Sequence, residues 1–270
     1  GNYAENISGV QILPIKTGYY VWDGTEWVVK FGSGAIAPAI EYARRKGADI
    51  INMSIKIDPF HWTKLPQIQI EIQNAYDDNI LLVAAAGQGQ NGGNPISAPA
   101  KDYRVIATGA TTETDDRWDD SNHGNQMELT APGVNIYTLS GNEGIASSVR
   151  GTSFSAPMVS ATAALMLSVD PSLEIWEIRD ILQTTAEKVD SYQYPYDGNG
   201  WNEYLGYGRI NTRDAVCTVF DRIDPITIIS NDFWDEPVYS PKNITITSGC
   251  TLTITSTVHL GNNSVVTIEP

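Results

Sequence analysis

Residues 80–86 read Ile-Leu-Leu-Val-Ala-Ala-Ala, seven apolar side chains with no polar break, and Gly87 follows. A strand wetted on one face alternates polar and apolar residues, whereas a strand covered on both faces stays apolar throughout. The run therefore predicts a strand in the middle of a parallel sheet. Working outward, Asp49–Ile55 reads as a second buried strand, Val105–Gly109 as a third and Glu128–Ala131 as a further one, with Val10–Lys16 as a strand near the front. Helix signals lie between them. Ser33 is a candidate N-cap for a helix over 34–46 that Gly47 stops, and Ile36, Ala39, Ile40 and Ala43 form its inward face. Residues 66–78 alternate like a strand, yet their length and their place between strands favour a helix. Residues 153–168 are apolar or small on every side, which suits a helix running through a core. Asp170-Pro171-Ser172 opens another, to about Ala186. Strands alternating with such helices give the class: α/β, a mostly parallel sheet with helices on both faces.

The composition agrees. The chain has 270 residues, 41% apolar and 18% charged, enough for one large domain and a small extra module. Acidic residues outnumber basic ones 32 to 17, a net charge of −15 that excludes nucleic acid and anionic membrane surfaces as expected partners. No run of about 18 apolar residues predicts a membrane span. With only Cys217 and Cys250, neither a disulfide scaffold nor a four-cysteine metal site can form. Near residue 221 the composition turns to Thr, Ile, Val, Ser and Asn. We read 1–220 as the main domain, 221–242 as a linker, and 243–270 as the start of a small all-β module of three or four short strands.

The chemistry concentrates at Gly151-Thr152-Ser153-Phe154-Ser155-Ala156-Pro157, which opens the core helix. A serine at a helix mouth lies beside free backbone N–H groups and the positive end of the macrodipole, donors that can stabilise an oxyanion on a carbonyl under attack. The same residue could equally be a plain helix cap. The heptapeptide alone leaves both uses open.

The order of the other segments bears on that choice. Asp49-Ile50-Ile51-Asn52-Met53-Ser54, Val83-Ala84-Ala85-Ala86-Gly87, Pro99-Ala100 with Val105–Ala110, Ser121-Asn122-His123-Gly124, Ala131-Pro132-Gly133 and Gly206–Asn211 follow one another along the chain. Together with the heptapeptide they resemble the subtilisin-like serine proteases (subtilases) over roughly residues 7–220. The resemblance implies a serine endopeptidase acting on peptides or proteins, with Ser153 as nucleophile of an Asp-His-Ser triad. It places Gln88 where the family usually has an oxyanion-hole Asn, so its donor must fold back or will sit about an ångström out; the alternative is a plain polar loop residue. It implies substrate contacts from Ser54, Ile55 and Lys56, a strand that pairs with the peptide, with Lys56 standing where Gly is usual. Lysine there would narrow the cleft or attract acidic substrate side chains. Ala85, Ala86 and Gly87 become a pocket wall, as well as buried strand, and Gly151 and Thr152 flank the nucleophile.

Other parts of the family pattern are missing. The triad runs Asp, His, Ser along the chain, but neither the Asp motif nor a His-Gly-Thr motif occurs. His61, His123 and His259 read as surface residues rather than bases. The expectation is the C-terminal part of a longer protease, nearly inactive by itself, since loss of a triad member leaves only about 10³–10⁴-fold catalysis over water. The alternative is an inactive, peptide-binding or structural relative. The resemblance further implies an extracellular or cell-surface location, allows calcium without supplying ligands, and sets the β module beside tail modules that contact surfaces or glycans. Asp197-Gly198-Asn199-Gly200 reads as a turn rather than a calcium loop. Cys217 and Cys250 could pair only if the fold brings them together.

Overall fold

In a computed structural model, the structure describes residues 9–222 except 23, 26, 32, 58–61, 90–94 and 141–143, and beyond them seven three-residue strands between 226 and 268. Four strands form the central sheet in the order β3-β4-β5-β6, all parallel: β3 (Ile50–Met53), β4 (Leu81–Ala85), β5 (Val105–Thr111) and β6 (Met127–Pro132). The apolar run at 80–86 explains why. Leu82, Ala84 and Ala86 point into one core with α1 (Ser33–Arg45) and α2 (Pro66–Asp77), while Leu81, Val83 and Ala85 point into another. That second core is built with α3 (Thr152–Val169), α4 (Ile175–Thr184) and α5 (Thr212–Arg222). Period-two side-chain alternation in a strand buried on both faces needs apolar residues at every position.

The ambiguous stretch at 66–78 is helical, with Ile68, Ile72 and Ala75 buried at helical spacing. α3 is long and apolar enough to suit a membrane by length and composition alone. Here it packs across all four central strands. The next helix starts later than expected, at Ile175. It is closed by a capping box between Glu174 and Glu177 and by Asn79 Oδ1, which accepts from the Ile175 N–H at 3.0 Å.

Two expectations need correction. Residues 10–16 are irregular rather than a strand, consistent with Pro14, which can give the ladder no N–H. The first strand is instead β1 (Gly18–Trp22), paired antiparallel with β2 (Trp27–Phe31). A second hairpin, β7 (Ile136–Ser140) with β8 (Gly144–Val149), precedes the nucleophile motif. Secondly, the stretch read as a linker contains β9 (Ile226–Ile228), β10 (Asp232–Trp234) and β11 (Val238–Ser240). These pair in parallel with β12 (Ile244–Ile246), β13 (Leu252–Ile254) and β14 (Val258–Leu260), and β12 continues to β15 (Val266–Ile268). Each strand thus meets the one about twenty residues further on, the pattern of a coil with three strands per turn.

Candidate active site

Three chain segments meet at the carboxyl ends of the parallel strands, where open α/β sheets place their ligands. They are 54–56 after β3, 86–88 after β4, and the mouth of α3. Gly151 is the N-cap of α3 and has no side chain with which to cap it. Ser153 is exposed at the second helical position. Its hydroxyl is therefore not a cap, and among the described residues nothing hydrogen-bonds it. That removes the plainer of the two uses open to the sequence.

The mouth of the helix is fixed from several directions. Gly151 N–H donates to Gly133 O at 2.8 Å, and Ser155 Oγ donates to Ala131 O at 3.0 Å and Pro132 O at 3.2 Å. A β-carbon on Gly133 would lie 2.5 Å from Ser155 Oγ, so glycine is required for that approach. Buried Thr152 accepts from the Gly87 N–H at 3.1 Å, tying the nucleophile loop to the end of β4. Gly87 adopts φ +90° and has no room for a β-carbon, which would meet Ser97 Oγ at 2.4 Å.

Gln88 does fold back. Its Oε1 accepts from the Thr152 N–H at 3.2 Å, and the side chain lies over Gly151, where a β-carbon would sit 2.9 Å from that oxygen. An N–H donor at Oε1 leaves Nε2 as the end of the amide still able to donate. The side chains of Ala85 and Ala86 are buried in the two opposite cores. What this segment can offer a ligand is main chain. Along 54–57 the side chains alternate, with Ile55 and Ile57 packed in the core and Lys56 exposed. Ser54 Oγ reaches the Ser153 carbonyl at 2.9 Å.

Sequence reading missed three polar residues. Asn52 and Ser160 stand behind Ser54. Asn122 Nδ2 lies 3.2 Å from each of Ala86 O, Pro95 O and Ser97 Oγ, and so clamps the 95–97 loop to the end of β4. Asn52 was visible as a polar residue in an apolar strand, and Asn122 lay within a quoted motif.

Among the described residues no histidine forms a base. His61 and the side chain of His259 lie outside the described residues, as does Cys250; Cys217 is exposed on α5. His123 is half-buried rather than a surface residue, its ring 4.5 Å from that of Tyr204. Burial holds its imidazole below the usual value, the Arg117 charge adds to this, and Glu203 opposes it. The folded protein thus resists the proton that the unfolded chain takes up near pH 6.5, so stability from this site is complete above about 6.5 and declines as pH falls through it. Urea unfolding at about pH 8 and about pH 5 should show His123→Gln losing less stability on acidification than the parent protein; equal losses would contradict it.

Among the described residues no three His, Cys, Asp or Glu side chains are grouped to hold a metal ion. Asp197 Oδ1 instead accepts from the Asn199 and Trp201 N–H groups at 2.9 Å, closing the expected turn. A calcium cage does not fit the donors present there.

Comparison with known proteins adds an independent line. Residues 10–208 match the pattern of the subtilase family. Over 191 residues the chain is 39% identical to subtilisin DY of Bacillus licheniformis, covering 68% of this chain and 64% of that protein. It is 33% identical over 206 residues to a cell wall-associated protease of Bacillus subtilis, covering 68% and 22% respectively. The chain thus spans less than two thirds of these curated relatives. Among solved structures, the prenylagaramide maturation protease PagA superposes with a TM-score of 0.59 at 27% identity, covering 71% of this chain and 69% of that one.

Proposed function

Because this chain belongs to the subtilase family of serine proteases, we propose that it serves in peptide-bond hydrolysis with Ser153 as the nucleophile. The observation that carries the reading is an exposed, uncapped serine hydroxyl at a helix mouth with the Gln88 carboxamide folded beside it. Ser153 Oγ attacks the scissile carbonyl carbon, and its proton passes to a general base. Among the described residues no histidine reaches Ser153, so the base and its orienting carboxylate come from outside them. The negative charge developing on the carbonyl oxygen is met by Gln88 Nε2 and the Ser153 N–H, because the Thr152 N–H is already taken by Gln88 Oε1. Return of the proton to the leaving amine frees one half of the peptide, and water then releases the other from Ser153.

The substrate lies as an extra strand beside 54–56. Ile55 and Ile57 anchor that segment inward, which leaves Lys56 as the charge a bound peptide meets. Acidic side chains flanking the scissile bond are therefore favoured, by about two- to fivefold for an exposed ion pair, and less at high salt. Location outside the cell accords with the cell wall-associated relative and with an endopeptidase kept away from its own cytoplasm. The test is hydrolysis of a peptide library by the full-length natural protein and its Lys56→Glu variant. Cleavage with a Glu preference that reverses in the variant supports the reading. Peptide binding without cleavage would contradict it.

A further inference from the structure

Pro157 is the fourth residue after Ser153 within α3. In a regular helix the Ser153 carbonyl would accept from the N–H at that position, and proline has none. The nucleophile's own carbonyl therefore lacks its helical partner. Ser54 replaces it, donating from Oγ to Ser153 O at 2.9 Å. Behind Ser54 stands Asn52, whose Nδ2 donates to Ser54 Oγ at 3.1 Å. Behind Asn52 stands Ser160, whose Oγ donates to Asn52 Oδ1 at 3.2 Å and also lies 3.2 Å from Ala156 O.

The direction of this chain is set from one end. A carbonyl only accepts, so the Ser54 proton must point at Ser153. Ser54 Oγ then accepts, and only the NH₂ end of Asn52 can supply the donor. That orientation turns Oδ1 toward Ser160, which lies two turns below Ser153 on the same face of α3. The tether spans the edge strand β3 and the helix, and it joins the segment that would hold substrate to the residue that would attack it. Resting on the reading of Ser153 as nucleophile, we propose that Asn52, backed by Ser160, is a positioning residue: it holds Ser54 as the donor that replaces the missing Pro157 N–H and thereby sets Ser153 against the bound peptide.

The test is steady-state peptide hydrolysis by the full-length natural protein and its variants, with thermal unfolding measured alongside. Asn52→Asp keeps size and the acceptor for Ser160 but offers Ser54 no donor at neutral pH. It should lower kcat by about tenfold to a hundredfold, the scale of an ångström's misplacement, with a smaller change in KM. Ser160→Ala should cost about threefold in the parent and nothing further in Asn52→Asp, since the two act through one chain; Ser160→Thr should restore the parent rate. An Asn52→Asp enzyme with unchanged kcat, or Ser160→Ala and Asn52→Asp losses that multiply, would overturn the proposal alone. A parent protein that hydrolyses no peptide would overturn it together with the reading beneath it.

Discussion

Replacing Ser153 with alanine is expected to lower peptide hydrolysis by the full-length protein by about 10⁶-fold, the scale on which a serine protease loses turnover without its nucleophile. The reason is local. The hydroxyl is exposed and makes no cap for α3, so its removal costs the fold little. Binding along 54–56 and the donors around Gln88 remain, and with them a residual rate of about 10³–10⁴ over water. The variant should therefore keep the parent's unfolding temperature and its affinity for a peptide while losing turnover. A measured loss in kcat of tenfold or less would mean that another group attacks the substrate.

The second large effect concerns stability. Glu128 is buried on β6, and its carboxylate is surrounded by donors: Arg179 Nε at 2.9 Å from Oε1, Arg179 Nη2 on Oε2, and Gln183 Nε2 at 2.9 Å from Oε1. Burial opposes the charge on Arg179, but Glu128 outweighs it, and the guanidinium is held above its ordinary pKa. Arg179 Nη2 also donates to Tyr103 O at 3.2 Å, tying α4 to the turn before β5. Arg179→Met leaves a carboxylate out of water with one amide for company. It should destabilise the protein by about 3 kcal/mol, near the lower end for a broken buried pair because part of the guanidinium is still wetted. Urea unfolding measures this, and Arg179→Met with Glu128→Met should recover most of the loss. If the single variant unfolds at the parent's midpoint, the pair contributes nothing to stability.

The sheet and its two helical layers were legible because burial on both faces writes itself as uninterrupted apolar sequence, as in 80–86. The hairpins were not, since Gly18–Trp22 and Ile136–Ser140 lie outside that sheet and carry no such run. The C-terminal coil was read as local strands and turns beginning at 243, because three residues hold too little alternation to mark a strand and a parallel partner about twenty residues away leaves no local trace. The repeat itself was in view: Ile-Thr-Ile at 226–228, Ile-Thr-Ile at 244–246 and Val-Thr-Ile at 266–268 occupy one stack of strands. At the candidate site, motif order pointed to Ser153 and Gln88, segments that the fold brings together at the mouth of α3. Ser160 and its bond to Asn52 became visible only when β3 and α3 were placed side by side, because that hydrogen bond joins residues 108 apart in sequence.

The most direct measurement is covalent capture of the full-length protein with a fluorophosphonate, followed by peptide mapping of the adduct. One phosphonyl group on the peptide carrying Ser153, absent from Ser153→Ala, is the result expected. Failure of the folded protein to react, or an adduct elsewhere that persists in Ser153→Ala, would contradict the assignment of this hydroxyl as the attacking group.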